Sequence, residues 1–384
     1  MTDRLTADEL VALVRRVFSP TAADERLAFL VDLPDGRAPD TDAWRERREL
    51  AREWHELLAP RAAELGLTEI RLALYRNPRA NNADLPATCV FHRGGPLPAT
   101  ADDLEGDAVS FDTVFENFRI LVAPTQFSAT APLKVAARHH GFRAATMPGF
   151  SAAMIPALRI DYGVVGARTA RFKGLLDRAG RCDIAFDAAG KRHELVLDLR
   201  HRASTASGGV FPAGGVAGNL PSGETYIVPY EGELAGDPTR SAGELPVQFG
   251  EDIVVYRVEN NRAVEVLTDN PASREERAKL AAEPAYGNLA ELGLGVLSDF
   301  GLKPTGELLL DEKLGLHIAF GRSEHFGGQV GPDSFSSPER VVHIDRVYTP
   351  ELQPDVRVAR ALLVMDDGSE LELMRDGAYV VGFD

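Results

Sequence analysis

Leu10, Leu13, Val14 and Val17 recur at the spacing of one helical face, directly after Thr6-Ala-Asp-Glu9, which has the form of a capping box. Trp44, Leu50, Trp54, Leu57 and Leu58 predict a second helix, interrupted near Pro60. TEIRLALY, Thr68 to Tyr75, alternates as a strand does, and FRILVAP, Phe118 to Pro124, reads as a buried strand. A helix follows from about Ser128 to His140, with Ser128 or Thr130 as its cap. This alternation of strand and helix predicts an open α/β sheet.

Beyond about residue 160 the pattern changes. HELVLDLR (His193 to Arg200), ETYIVPY (Glu224 to Tyr230) and DIVVYRV (Asp252 to Val258) read as strands. The last turns at Glu259-Asn260-Asn261 into a partner strand ending near Leu267. ALLVMDDGSELELM predicts a second hairpin, turning at Asp366-Asp367-Gly368, and one helix from about Ser273 to Ala282 lies between the two hairpins. The pattern therefore divides the chain into an α/β N-terminal domain, 1–160, and a β-rich (α+β) C-terminal domain, 161–384. GGVFPAGGVAG (Gly208 to Gly218) lacks the Lys-Ser/Thr ending of a phosphate cradle and reads as a flexible loop, a candidate lid, leading to the strand that begins at Glu224. Ser128, in FSAT, has no G-x-S-x-G around it and is better explained by helix capping than as a nucleophile.

Composition narrows the function classes. At 44% hydrophobic and 26% charged the chain is globular and not disordered. Its formal charge of −16 argues against nucleic acid or an anionic membrane surface as the main partner. Cys89 and Cys182 are the only cysteines, too few for a disulfide framework or a thiolate zinc site. MTDRLTADEL lacks the apolar core of a signal peptide, and no apolar run approaches the ~20 residues that span a bilayer, so a cytoplasmic location is expected.

VVHIDRV, Val341 to Val347, breaks the apolar pattern with chemistry. In a strand, His343 and Asp345 project to one face, and a buried carboxylate needs an arginine, a hydrogen-bond network or a metal as partner. Upstream, LLLDEKLGLHIAFG carries Asp311, Glu312 and His317; SEHFGGQ carries Glu324 and His325; LAELGLG carries Glu291 and NLPSGETY carries Glu224. Imidazole and carboxylate ligands suit a hard or borderline divalent ion, and glycine lets the backbone come close. Taken singly, each of these residues is more often a hydrogen-bonded or solvated side chain than a metal ligand.

NLPSGETYIVPYEGELAG, LAELGLG, LDEKLGLHIAFG and VVHIDRV, in this order, resemble the four motifs of the aminopeptidase T / aminopeptidase S family of metallopeptidases, over roughly residues 160 to 350. The resemblance implies Glu224, Glu291, His317, His343 and Asp345 as ligands of two divalent ions (zinc, cobalt, manganese or magnesium). It further implies Glu312 as the acid or base, a small peptide or other small-molecule substrate, and a homodimer. Three positions depart from the family pattern. Gly223 precedes Glu224 where the family carries two adjacent acids, Lys313 replaces the asparagine after Asp-Glu, and Glu324 stands in place of a tyrosine. Glu324 or His325 is a candidate additional ligand or substrate contact in that tyrosine's stead. Two other functions stay open: a ring-cleaving mononuclear Fe(II) oxygenase, like the 2,5-dihydroxypyridine dioxygenases that resemble the same family, with His317, His343 and Asp345 as its triad; and a family member with altered or lost catalysis.

Overall fold

The structure is a computed structural model, and it describes residues 3–383. The chain forms two compact units, one of Met1–Gly166, Ser207–Ser222 and Thr305–Leu310, the other of Ala167–Ala206, Gly223–Pro304 and Asp311–Asp384. The single cut expected at residue 160 thus differs from the observed division in two segments. Residues 207–222 join the first unit because Val216–Asn219 pairs in parallel with Arg143–Thr146 at the edge of its sheet. The glycine-rich stretch expected as a flexible loop accordingly ends in a sheet strand.

The first unit is α/β. Its sheet runs in the order 216–219, 143–146, 120–123, 26–33, 69–76, 88–91, 108–110, with the first five strands parallel and the last two antiparallel. The helix Ala7–Phe18 starts at the capping box: Thr6 Oγ1 accepts the Glu9 N–H at 3.2 Å and Glu9 Oε2 accepts the Thr6 N–H at 2.8 Å. Leu10, Leu13, Val14 and Val17 face the core. Thr6→Ala should lower stability by about 1 kcal/mol, and a urea midpoint identical to that of the parent protein would show that the box contributes nothing. The helix Thr130–His140 corrects its expected cap: Ala129 occupies the N-cap position, with no side-chain bond of its own. The donors at this end are met by Asn82 Oδ1, which accepts the Ala131 N–H at 3.0 Å, and by Ser128 Oγ, which accepts the Thr130 N–H at 3.3 Å.

The second unit is β-rich. An eight-stranded antiparallel sheet holds both expected hairpins. Asn260 and Asn261 take φ of 49° and 64°, the left-handed values that a two-residue hairpin turn requires and asparagine tolerates. A second sheet places His343–Val347, Leu316–Gly321, Leu289–Gly295 and Glu224–Ile227 side by side, antiparallel throughout. Tyr256 of the first sheet packs against Phe320 of the second at 5.2 Å between ring centroids. Among the described residues no helix is long and apolar enough to cross a membrane.

Candidate metal centre

Glu224, Glu291, His317, His343 and Asp345 each enter this second sheet on a strand whose alternation decides the side chain's direction. Gly293 lies opposite His317, Ala319 opposite both Glu291 and Asp345, Gly321 opposite His343, and Glu224 opposite Gly295. Because side chains alternate along a strand, Glu224, Glu291, His317, His343 and Asp345 share one face. The small residues Gly293 and Ala319 leave room between them. A Cβ at Gly293 would overlap the His317 ring at Nε2, which shows how closely that ring lies over the neighbouring strand.

The side chains converge in a buried cluster. His317 Nε2 is 3.2 Å from Glu291 Oε1, 3.5 Å from Glu224 Oε2 and 4.0 Å from Asp345 Oδ1. His343 Nε2 is 3.2 Å from Glu291 Oε2 and 3.7 Å from Asp345 Oδ1. Both imidazoles turn their other nitrogen to the backbone: His317 Nδ1 donates to Gly315 O at 3.2 Å and His343 Nδ1 to Arg322 O at 2.8 Å. A carbonyl only accepts, so the proton sits on Nδ1 and Nε2 is left to face the cluster. Glu224 Oε2 and Asp345 Oδ1 are buried and accept no hydrogen bond. Buried carboxylate oxygens without donors are costly. Glu224, Glu291 and His317 form one group able to hold a metal ion, and Glu291, His343 and Asp345 form another. The donor set and the two orphaned oxygens therefore fit a divalent cation.

The charges reinforce one another. Burial opposes ionisation of Glu291, yet His317 and His343 outweigh it and hold its carboxyl well below the usual range. Burial opposes protonation of His317, but Glu291, Asp345 and Glu224 push its pKa up to about 10. The cluster thus attracts positive charge, protons when nothing else is offered.

Glu312 and Lys313 come from the short 3-10 turn Glu312–Leu314. A Cβ at Gly295 would overlap the backbone of both, so glycine there lets this turn lie against the sheet. The Lys313 side chain is 0% exposed, with Nζ 2.5 Å from Glu224 Oε1 and in contact with Glu312 Oε1. Burial pushes the Glu312 carboxyl up to about 8; Lys313 works against this, Glu224 and Asp345 with it.

No protein-family model matches the sequence, and no curated protein matches it significantly. Solved structures do match the fold. A 2,5-dihydroxypyridine dioxygenase from Pseudomonas putida KT2440 superposes with a TM-score of 0.61 at 13% identity, covering 98% of this chain and 99% of that one. AmpT from Thermus thermophilus, an aminopeptidase, superposes with a TM-score of 0.56 at 17% identity, again over 98% and 99%. The shared feature is the fold, an α/β part followed by a β-rich part.

Glu324 does not join the cluster. It is half exposed, and its carboxylate pairs with Arg322 at 2.7 Å. His325 lies nearer: its ring is 5.2 Å from that of His343, and both rest against Phe326. His343, with its side chain 19% exposed, is the most accessible of the five clustered ligands, so the opening lies beside His343, His325 and Phe326. Two contributors were not singled out in the sequence. Tyr226, two residues after Glu224 and on its face, packs its ring 4.6 Å from Phe326 and lies within the electrostatic reach of Glu291 and Glu224; the period-two rule applied to ETY would have found it. Glu231 accepts from Asn288 Nδ2 at 2.8 Å, from Ser323 Oγ at 2.6 Å and from the Gln329 N–H, and so braces the loop whose Arg322 carbonyl orients His343. No short-range pattern marks Glu231.

Proposed function

We propose that the protein is a metal-dependent hydrolase of the aminopeptidase T / aminopeptidase S type, cleaving a peptide or amide bond in a small substrate. The observation that carries this reading is Glu291, a buried carboxylate with one oxygen toward each of two imidazoles, in a sheet face that also bears Glu224 and Asp345. Glu224, Glu291, His317, His343 and Asp345 would hold the metal: zinc, cobalt, manganese or magnesium. A bound divalent ion supplies a water acidified toward neutrality and polarisation of a carbonyl. The chain's own residues do the rest. Arg322 O and Gly315 O keep both Nε2 atoms aimed inward, the apolar wall of Phe326 and Tyr226 limits water at the opening, and Glu312 is the group to hold the proton that a nucleophilic water gives up and a leaving amine takes. We extend the proposal to a homodimer, as the resemblance implies.

A ring-cleaving Fe(II) oxygenase is the second reading. The observation in its favour is Lys313, which engages Glu224 and leaves the triad His317, His343 and Asp345, with Glu291 between the two imidazoles, to hold the ion. The deciding experiment measures metal by mass spectrometry on protein purified with and without oxygen, and then assays peptide amides against dihydroxylated aromatic rings. Zinc, cobalt or manganese with amide cleavage is the expected result. Iron kept only without oxygen, with ring cleavage, would replace the hydrolase reading by the oxygenase. A His343→Ala protein should retain its fold and lose metal and turnover together.

A further inference from the structure

The site also bears on how many ions it takes, an inference that rests on the metal-dependent reading above. We propose that the Lys313 ammonium stands where a second cation would otherwise sit, so that each chain takes a single divalent ion. Lys313 is wholly buried, on a turn that Gly295 admits to the sheet, and it reaches Glu224 Oε1 at 2.5 Å and Glu312 Oε1. An ammonium is costly to bury unless carboxylates surround it, and here two do.

The division of Glu224 is the telling feature. Its Oε1 is taken by Lys313, while its Oε2 accepts no hydrogen bond and turns to His317 Nε2 at 3.5 Å. Asp345 Oδ1, the other unsatisfied oxygen, lies 4.0 Å from His317 Nε2 and 3.7 Å from His343 Nε2. Asp345 Oδ1 belongs with Glu291 and His343 in one metal-capable group and Glu224 Oε2 with Glu291 and His317 in the other, and only this second group shares a carboxylate with the ammonium, so an ion beside His343 stays clear of it. A second ion, held by Glu224, Glu291 and His317, would have to share Glu224 with the ammonium that already holds its Oε1. It would also meet a fixed positive charge within a few Å in a medium that screens poorly. A neutral asparagine, which the resembled family carries at this position, imposes neither restriction. The lysine is thus a resident monovalent cation, bound covalently to the chain, that neutralises the Glu224 side of the site.

The test is a count. Protein stripped with a chelator is titrated with manganese alone, followed by calorimetry, by mass spectrometry after desalting and by electron paramagnetic resonance. The wild-type chain should bind one ion and give the spectrum of an isolated manganese. Lys313→Asn should raise the count from one to two and produce a spin-coupled pair, whereas Lys313→Arg, which keeps the charge, should remain at one. Should asparagine prevent folding, Lys313→Met carries the same expectation. Two ions in the wild-type chain, or one ion in a folded Lys313→Asn or Lys313→Met chain, would overturn the inference and leave the metal-dependent reading standing. No ion in any of these folded proteins would instead remove the metal-dependent reading, and the inference with it.

Discussion

Glu291→Gln is expected to weaken divalent-metal binding at least a hundredfold, about 2.7 kcal/mol, while the chain keeps its fold. Glu291 is the one residue common to both metal-capable groups, and it sends one oxygen to each imidazole at 3.2 Å. Glutamine has the same shape but no charge, and one of its two terminal positions becomes an NH2. That amide can donate to one Nε2, which occupies the lone pair a metal would need. The neutral variant also removes the anion that most strongly favours positive charge on His317 and that, after Asp345, favours it on His343. The measurement is calorimetric titration of stripped protein, with circular dichroism as the check on folding. Unchanged affinity in a folded Glu291→Gln protein would mean that the metal lies elsewhere, or that the two histidines are simply an imidazolium pair around a buried acid. The second outcome would leave the cluster structural, since Glu291 already neutralises charge there.

What could be read from the sequence was chemistry tied to a local period. His343 and Asp345 share a face because strand residues alternate, and the structure places them together, 3.7 Å apart at Nε2 and Oδ1. The Thr6–Glu9 box and the Asn260–Asn261 turn were legible for the same reason: the interaction lies within a few residues. The strand Arg26–Leu33 was passed over, being apolar on both faces and so without alternation. The place of 207–222 depends on pairing with a strand some seventy residues earlier, which no composition of glycines declares. The Lys313 ammonium shows the limit most sharply. Its departure from the family pattern was visible, but its burial between Glu224 and Glu312 arises from Gly295, on a strand eighteen positions upstream, accepting the turn that carries it. Glu231 acts on a loop some ninety residues later in the chain, through Ser323 and Gln329.

Gly293→Ala offers the other large expected effect, and it tests the site by shape instead of charge. Gly293 sits directly across from His317, and its lack of a side chain is what allows the imidazole to lie over the strand with Nε2 toward Glu291. Its backbone conformation is open to any residue, so alanine brings no φ penalty; the conflict is with the ring alone. Overpacking of this kind costs about 1–3 kcal/mol, and the direct relief is rotation of His317 away from the cluster. That movement breaks the Nδ1 bond to Gly315 O and withdraws one ligand. Metal affinity should therefore fall tenfold or more, the effect of losing a ligand's orientation, while stability in urea changes by no more than the packing cost. Affinity retained at the parent value would show that His317 Nε2 does not serve as a ligand. Gly295→Ala is the instructive contrast, because the new Cβ would meet the backbone of Glu312 and Lys313, which cannot rotate aside. Loss of folding there, with folding kept and metal lost in Gly293→Ala, would separate the glycine that admits a ligand from the glycine that admits a chain segment.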